Sequence, residues 1–229
     1  MLKIDLHVHT NPLSPDSFMS AEQAIETAKE IGLDGICFTE HDRAWQLSEI
    51  HFLREKHDFP VFRGVEVMLR GGIEMLVFGL NIDFTSLLQL SDLRKMVTAA
   101  KGFMVYAHPC RGLPELTVSD SAAALEITLG KVDITSIDAV EGRNGRNKDI
   151  YNQPALEMAA RFNLKDTGGS DAHAVDEIGT SVTVFDRNVS TDEELLNELK
   201  AGGFTSARFR ARERWSWKED TRTIERRWV

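Results

Sequence analysis

The sequence predicts an α/β fold, a barrel of parallel strands alternating with helices, and three observations carry that prediction. Short apolar runs alternate with amphipathic segments along the chain, the pattern of repeated strand and helix units. Its 229 residues suffice for one such barrel without a second domain. Five of the seven histidines fall within or just after a predicted strand, and the carboxyl rim of a parallel barrel is where residues distant in sequence converge.

Strands are predicted at 3–8, 35–39, 61–67, 75–80, 103–107, 137–140 and 165–168, each a short apolar run. Between the first two, residues 20–31 form a helix: Ser20 and Gln23 make a capping box, and Ala21, Ala24, Ile25 and Ala28 make one apolar stripe. Further helices are predicted at 45–56, 87–100, 119–129, 150–162 and 191–201, the last opened by Ser190 or Thr191 and closed by Gly202. No linker, internal repeat or low-complexity tract interrupts the series.

Hydrophobic residues at 42% and charged residues at 28% supply a sizeable core and exclude global disorder or a collagen-like repeat. No apolar run approaches the roughly 18 residues of a membrane span, and the chain enters its first strand without a signal-peptide core. A cytoplasmic location and no membrane partner are therefore expected. Cys37 and Cys110 are too few for a disulfide scaffold or a four-thiolate zinc site; Cys37 reads as core and Cys110 as a buried small hydrophobe. A net charge of −9 repels long nucleic acids and anionic membranes, so an anionic substrate needs local positive charge.

Residues 208–229 reverse that balance, with eight Lys and Arg against four acids, so they are read as a basic, Trp- and Arg-rich C-terminal arm beyond a barrel at 1–207. The arm is expected to pack on its own or a neighbouring subunit, a route to a homo-oligomer. The alternative is phosphate-backbone contact with Trp215 and Trp217 as stacking platforms.

The chemistry collects at predicted strand ends: Asp5-Leu6-His7-Val8-His9, Thr39-Glu40-His41-Asp42, Ala107-His108-Pro109 and Gly169-Ser170-Asp171-Ala172-His173. Residues two apart on a strand share a face, so Asp5, His7 and His9 point together, as do Asp171 and His173 if extended. Glu66 ends one strand, Glu74 precedes the next and Asp16 lies in the loop after His9. Mixed imidazole and carboxylate donors suit zinc, manganese or iron, and without paired thiolates they point to an active rather than a structural metal site. Asp5, Glu40 and Asp42 are candidates to accept bonds from ligating imidazoles or to serve as turn carboxylates. His51 and His57 lie in a polar helical stretch and read as a solvated face.

Taken together, Asp5-x-His7-x-His9-Thr10, Ser14-Pro15-Asp16, Gly32-Leu33-Asp34-Gly35, Thr39-Glu40-His41-Asp42, Gly64-Val65-Glu66, Ala107-His108-Pro109 and Gly169-Ser170-Asp171-Ala172-His173 resemble, in order, the polymerase and histidinol phosphatase superfamily, the PHP domain. The match runs through roughly residues 1–185. It implies a distorted (β/α)7 barrel, two or three divalent ions at the carboxyl rim of the strands, and hydrolysis of phosphoesters. Carried over by position, it implies His7, His9, Glu66 and Asp171 on a first metal, with Glu66 bridging to a second that also takes His108. Asp16, His41 and His173 would hold a third. The second metal's remaining ligand is usually a histidine, and here Glu74 stands at that place.

Three divalent ions against Asp16, Glu66, Glu74 and Asp171 leave about +2 in the pocket, which suits a phosphate dianion. His108 or His41 is the candidate general acid. Arg143, just behind a predicted strand, is the substrate-binding candidate, ahead of Arg146, Arg43 and Arg111.

The expected function is a metal-dependent phosphoesterase that hydrolyses a small phosphomonoester or a nucleotide or oligonucleotide end through a metal-bound hydroxide. Histidinol phosphate is an alternative substrate. Two other classes remain open: a metal-dependent amidohydrolase, which a carbamylated lysine at a strand end would favour, and a catalytically silent PHP module, which lost ligands would favour.

Overall fold

A computed structural model describes residues 1–210, so all but the first three residues of the arm at 208–229, Trp215 and Trp217 included, lie outside the described residues. In chain order the strands are β1 (Leu2–Val8), β2 (Gly35–His41), β3 (Val61–Leu69), β4 (Ile73–Phe78), β5 (Phe103–Tyr106), β6 (Ala139–Asn144), β7 (Lys165–Gly169), β8 (Ser181–Phe185) and β9 (Phe204–Arg208). The helices are α1 (Ala21–Glu30), α2 (Leu47–His57), α3 (Leu90–Ala99), α4 (Glu115–Val118), α5 (Ser121–Leu129), α6 (Asp149–Arg161) and α7 (Asp192–Ala201). None of them is long and apolar enough to cross a membrane.

Local sequence explains the best-formed helices. Ser20 Oγ accepts from Gln23 N at 3.2 Å while Gln23 Oε1 accepts from Ser20 N at 2.9 Å, and Ala21, Ala24, Ile25 and Ala28 are buried beneath α1 as its stripe predicts. Thr191 opens α7 in the same way with Glu194, and Gly202 closes it in the left-handed conformation at φ +74°.

All seven predicted strands are present in one mixed sheet ordered β7-β6-β5-β4-β3-β2-β1-β8-β9. The expectation of a wholly parallel sheet does not hold. β4 runs antiparallel to both β3 and β5, because Gly71 and Gly72, at φ +89° and +70°, fold a tight hairpin between β3 and β4. β8 and β9 were not foreseen, although Val182 and Val184 show the strand alternation; both are antiparallel additions, β8 to β1 and β9 to β8.

These additions distort the barrel. At the carboxyl end, the chain beyond β7 closes onto β1: Asp171 N donates to His7 O at 2.7 Å and His9 N to Ala172 O at 3.0 Å. At the other end β8 takes over, pairing with Leu2, Lys3 and Ile4 of β1. There β7 reaches β8 through Thr183, whose Oγ1 accepts from Gly168 N at 2.9 Å and donates to Gly168 O at 2.8 Å. The ring of β1–β7 is thus closed at its rim and wedged open at its base.

Strand alternation then separates two environments. Val65, Val67, Met75, Val77 and Met104 face a layer containing Leu93, Val97, Leu125 and Met158 from α3, α5 and α6. Phe62, Leu76, Phe78 and Val105 join a second cluster with Phe185, Leu195 and Phe204. Glu66 and Glu74 fall on the same alternate positions as Phe62 and Leu76, so the face that is apolar lower down becomes ionisable at the rim.

The closure depends on two glycines. A Cβ on Gly168 would stand 2.3 Å from Val182 O, and one on Gly169 2.3 Å from His7 Cβ. Backbone cannot yield as a flexible side chain does, so Gly168→Ala is expected to cost about 1–3 kcal/mol or more in denaturant unfolding. An unchanged midpoint and slope would mean the seam is not packed as described.

Candidate metal centre

The nine predicted ligands meet in one pocket. His7 lies near the end of β1 with His9 just beyond; His41 ends β2; Glu66 lies on β3 and Glu74 on β4; His108 follows β5; Asp171 and His173 follow β7. Register brings them level, since His41 pairs with Glu66 across β2 and β3. Glu66, 2% exposed, is the hub. Its Oε1 lies 3.2 Å from His7 Nε2 and 2.9 Å from His108 Nε2, and its Oε2 lies 2.9 Å from His41 Nδ1 and 3.4 Å from His9 Nε2. Asp171 Oδ1 stands 3.4 Å from His9 Nε2 and 3.6 Å from His7 Nε2. Asp16 Oδ2 stands 3.2 Å from both His41 Nε2 and His173 Nε2, and Glu74 Oε2 3.5 Å from His108 Nε2.

Residues behind the pocket orient two of the imidazoles. His7 Nδ1 lies 2.8 Å from Glu141 Oε1, and an ionised carboxylate only accepts, so the proton belongs on Nδ1 and Nε2 turns its lone pair inward. Ser14 Oγ donates to Glu40 Oε2 at 2.6 Å and so accepts from His9 Nδ1 at 3.2 Å, which likewise leaves His9 Nε2 open. The two Nε2 atoms are 3.0 Å apart. Facing lone pairs at that distance need a proton or a cation between them.

The electrostatics points the same way. Burial disfavours charge on His7, yet Glu141, Asp171 and Glu66 outweigh it and raise its pKa well above the ordinary value. Burial, reinforced by the charge of His7, lowers His9 to about 4. Burial also works against a charged His41, but Glu66 and Asp16 lift it to about 9. Glu66 and Asp171 are penalised by burial and still held well below the usual carboxylate range by the surrounding imidazoles and, for Asp171, by Arg111. Burial and the charge of Glu66 push Glu74 up. Overlapping sets within 4.8 Å of one another (His7, His9, Glu66; His7, His108, Asp171; His9, His41, His173; His41, Glu66, Glu74) fit divalent cations by donor type and by this demand for positive charge.

Arg143 is not brought to this pocket. It lines a separate cavity of about 650 Å³ with Ser121, Asn152, Gln153 and Arg208. The guanidinium groups at the rim are two that the sequence reading ranked lower: Arg111 Nη2 donates to Asp171 Oδ2 at 2.5 Å, and Arg146 Nη1 lies 2.9 Å from His173 Nδ1. Glu141 was missed outright, although it directly follows the predicted strand at 137–140, the kind of position that marked the other acids; in the structure it lies within β6. Of the candidate supporting acids, Glu40 acts through Ser14. Asp5 instead binds the Ser170 and Gly179 amides at 2.8 and 2.9 Å, and Asp42 the Met68 amide at 3.0 Å.

A distorted barrel that gathers imidazoles and carboxylates at its carboxyl rim belongs to the class of metal-dependent hydrolases. The PHP domain model matches residues 5–152 and the PHP-associated model residues 149–203, so the chain belongs to the PHP family. No curated protein matches the chain. Among solved structures it is similar to a Bifidobacterium adolescentis protein described as a metal-dependent phosphoesterase, at 17% identity and TM-score 0.58 over 87% of this chain and 96% of that one. It is also similar to the lesion-specific endonuclease EndoQ of Pyrococcus furiosus, at 15% identity and TM-score 0.59 over 97% of this chain and 66% of that one. A third is a Chromobacterium violaceum amidohydrolase, at 18% identity and TM-score 0.56 over 75% of this chain and 87% of that one. At these identities the likeness is one of fold.

The Glu66 hub makes a direct prediction. In protein stripped of metal, Glu66→Gln is expected to bring the His41 pKa down from about 9 by more than one unit, read by NMR titration. Because that pKa is raised above its unfolded value, His41 stabilises the stripped fold below about pH 6.5, and the contribution is lost as pH rises through 9. A His41 titration indifferent to the substitution would contradict the assigned contact.

Proposed function

We propose that this chain is a metal-dependent phosphoesterase that hydrolyses a small phosphomonoester or a nucleotide or oligonucleotide end. The observation that carries the reading is the divided Glu66 carboxylate, one oxygen facing His7 and His108 and the other facing His9 and His41. Four imidazole nitrogens within 3.4 Å of one buried carboxylate make a donor set that calls for cations. His7, His9, Glu66 and Asp171 would hold one ion, His108 and Glu74 would complete a second with Glu66, and Asp16, His41 and His173 would hold a third. Zinc, manganese or iron fits these donors. When bound, such ions supply Lewis acidity and a water acidified to near neutrality.

The chain's own residues account for the rest. Glu141 and Ser14 hold the His7 and His9 rings with Nε2 inward. Arg111 is tied by Asp171, Asn144 and Asn147 at 2.5, 2.8 and 3.1 Å, which aims a partly exposed guanidinium at the rim for a phosphoryl oxygen. His41, 35% exposed against 3% for His108, is the better placed of the two to hand a proton to a leaving group when the third ion is absent and its ring is unliganded. The amidohydrolase reading is weakened because Lys101 and Lys165 lie at the amino ends of β5 and β7, away from the rim. The silent-module reading is weakened because every predicted ligand joins the pocket.

Turnover of a phosphomonoester beside a phosphodiester with manganese tests the proposal. Either activity, abolished in His9→Ala and His173→Ala, is expected; amide hydrolysis alone would overturn it. Glu141→Gln is expected to weaken metal affinity about 10- to 100-fold by calorimetry, as loss of a histidine-orienting acceptor does. Metal uptake at pH 7 should release protons, and apparent affinity should rise with pH towards 9 as His41 surrenders its proton. A pH-independent affinity would remove His41 from the ligand set.

A further inference from the structure

Phe18 is 89% exposed, two residues beyond Asp16 in the loop that follows β1. This exposure is built in. Ser17 Oγ donates to His9 O at 2.8 Å, Phe18 N donates to His173 O at 2.8 Å, and Asn11 N donates to Met19 O at 2.9 Å. Ser17 and Met19 are buried at 2% and 1%, and Phe18 between them is turned outward. The Asp16 carboxylate lies 3.2 Å from His41 and from His173, which puts the start of this outward-facing stretch on the pocket itself. Val175, two residues past His173 in the chain, is also exposed, at 40%.

His173 has neighbours of both kinds, cationic and apolar: Arg146 meets its ring at 2.9 Å, while its carbonyl accepts from Phe18 N at 2.8 Å. Arg111 on Asp171 adds a second cation at the pocket. An ester likewise has two ends, an anionic phosphoryl group and a leaving group. We propose that Phe18 forms the leaving-group subsite and selects phosphoesters whose leaving group carries a planar ring. The tethered loop holds the phenyl face without a large entropic loss on binding, which favours stacking over a loose contact. The inference rests on the phosphoesterase reading above.

The test compares phenylphosphonate with methylphosphonate binding to the metal-loaded full chain by calorimetry, with phenyl phosphate and glycerol 2-phosphate hydrolysis alongside. Wild type is expected to prefer the phenyl compounds. Phe18→Ala should lower the phenyl-to-methyl affinity ratio roughly five- to tenfold, and Phe18→Trp should restore it. With so exposed a ring, the thermal midpoint should hold in both variants, separating loss of the subsite from misfolding. Equal affinities in wild type, or a ratio unmoved by Phe18→Ala, overturns the inference while leaving the phosphoesterase standing. If neither phosphonate binds and no ester is cleaved, the phosphoesterase reading fails and takes the inference with it.

Discussion

A carboxylate with almost no contact with water sets the terms for the rest of this structure. Burying a charge costs several kcal/mol unless it is paired and hydrogen-bonded. Glu66 meets that condition through four imidazoles that arrive on three pieces of chain. The β2–β3 register that levels His41 with Glu66 and the β3–β4 register that pairs Glu66 with Leu76 are thus requirements of the pocket as well as of the sheet. A slip of one residue in either would turn Glu66 into the apolar layer under the helices. The fold is held in register from both sides of β3.

The rim is also where the backbone departs from regular strand. His108 and Asp171 take φ of +28° and +57°, left-handed values that a residue bearing a Cβ adopts only at some cost, of order 1–3 kcal/mol each. Both positions follow directly on a strand, and in both the turn is secured by neighbouring hydrogen bonds: His108 N to Glu141 Oε2 at 2.9 Å, and Asp171 N to His7 O at 2.7 Å. The turned backbone aims these two side chains inward where an extended continuation would carry them past. Glycines at 168 and 169 let β7 come close enough for this to happen. Closure of the barrel and assembly of the pocket are one event.

What the sequence made legible follows from the range of each signal. Ligand spacing such as His7-x-His9 and the capping at Ser20 are local, and the structure reproduces their geometry without correction. The seven strand positions are local too. The direction of β4 depends on the three residues that separate it from β3, and the glycine pair at 71 and 72 makes them a hairpin through backbone conformation. Arg143 and Arg146 are three residues apart on one loop-bound stretch. Which of them faces the metals turns on the irregularity in β6–β7 pairing between Glu141 and Arg143, a feature that no periodicity in the sequence announces. Glu141 itself was legible by the rule applied to the other rim acids and was overlooked because no histidine stands beside it.

Charge gives the proposed chemistry an order of events. The chain carries −9 overall, and its pocket adds Asp16, Glu66, Glu74, Asp171 and Glu141 around histidines of which His9 stays neutral near pH 7. Arg111 is largely committed to neutralising Asp171, and Arg146 leans on His173. Without cations, a phosphate dianion would find the charged His7 and His41 and the two guanidinium groups already engaged by those carboxylates. Cations at the Glu66 hub would reverse the sign of the carboxylates' field. In this reading, metal loading precedes substrate binding, and the same ions that activate water also make the pocket a place a phosphoester can enter.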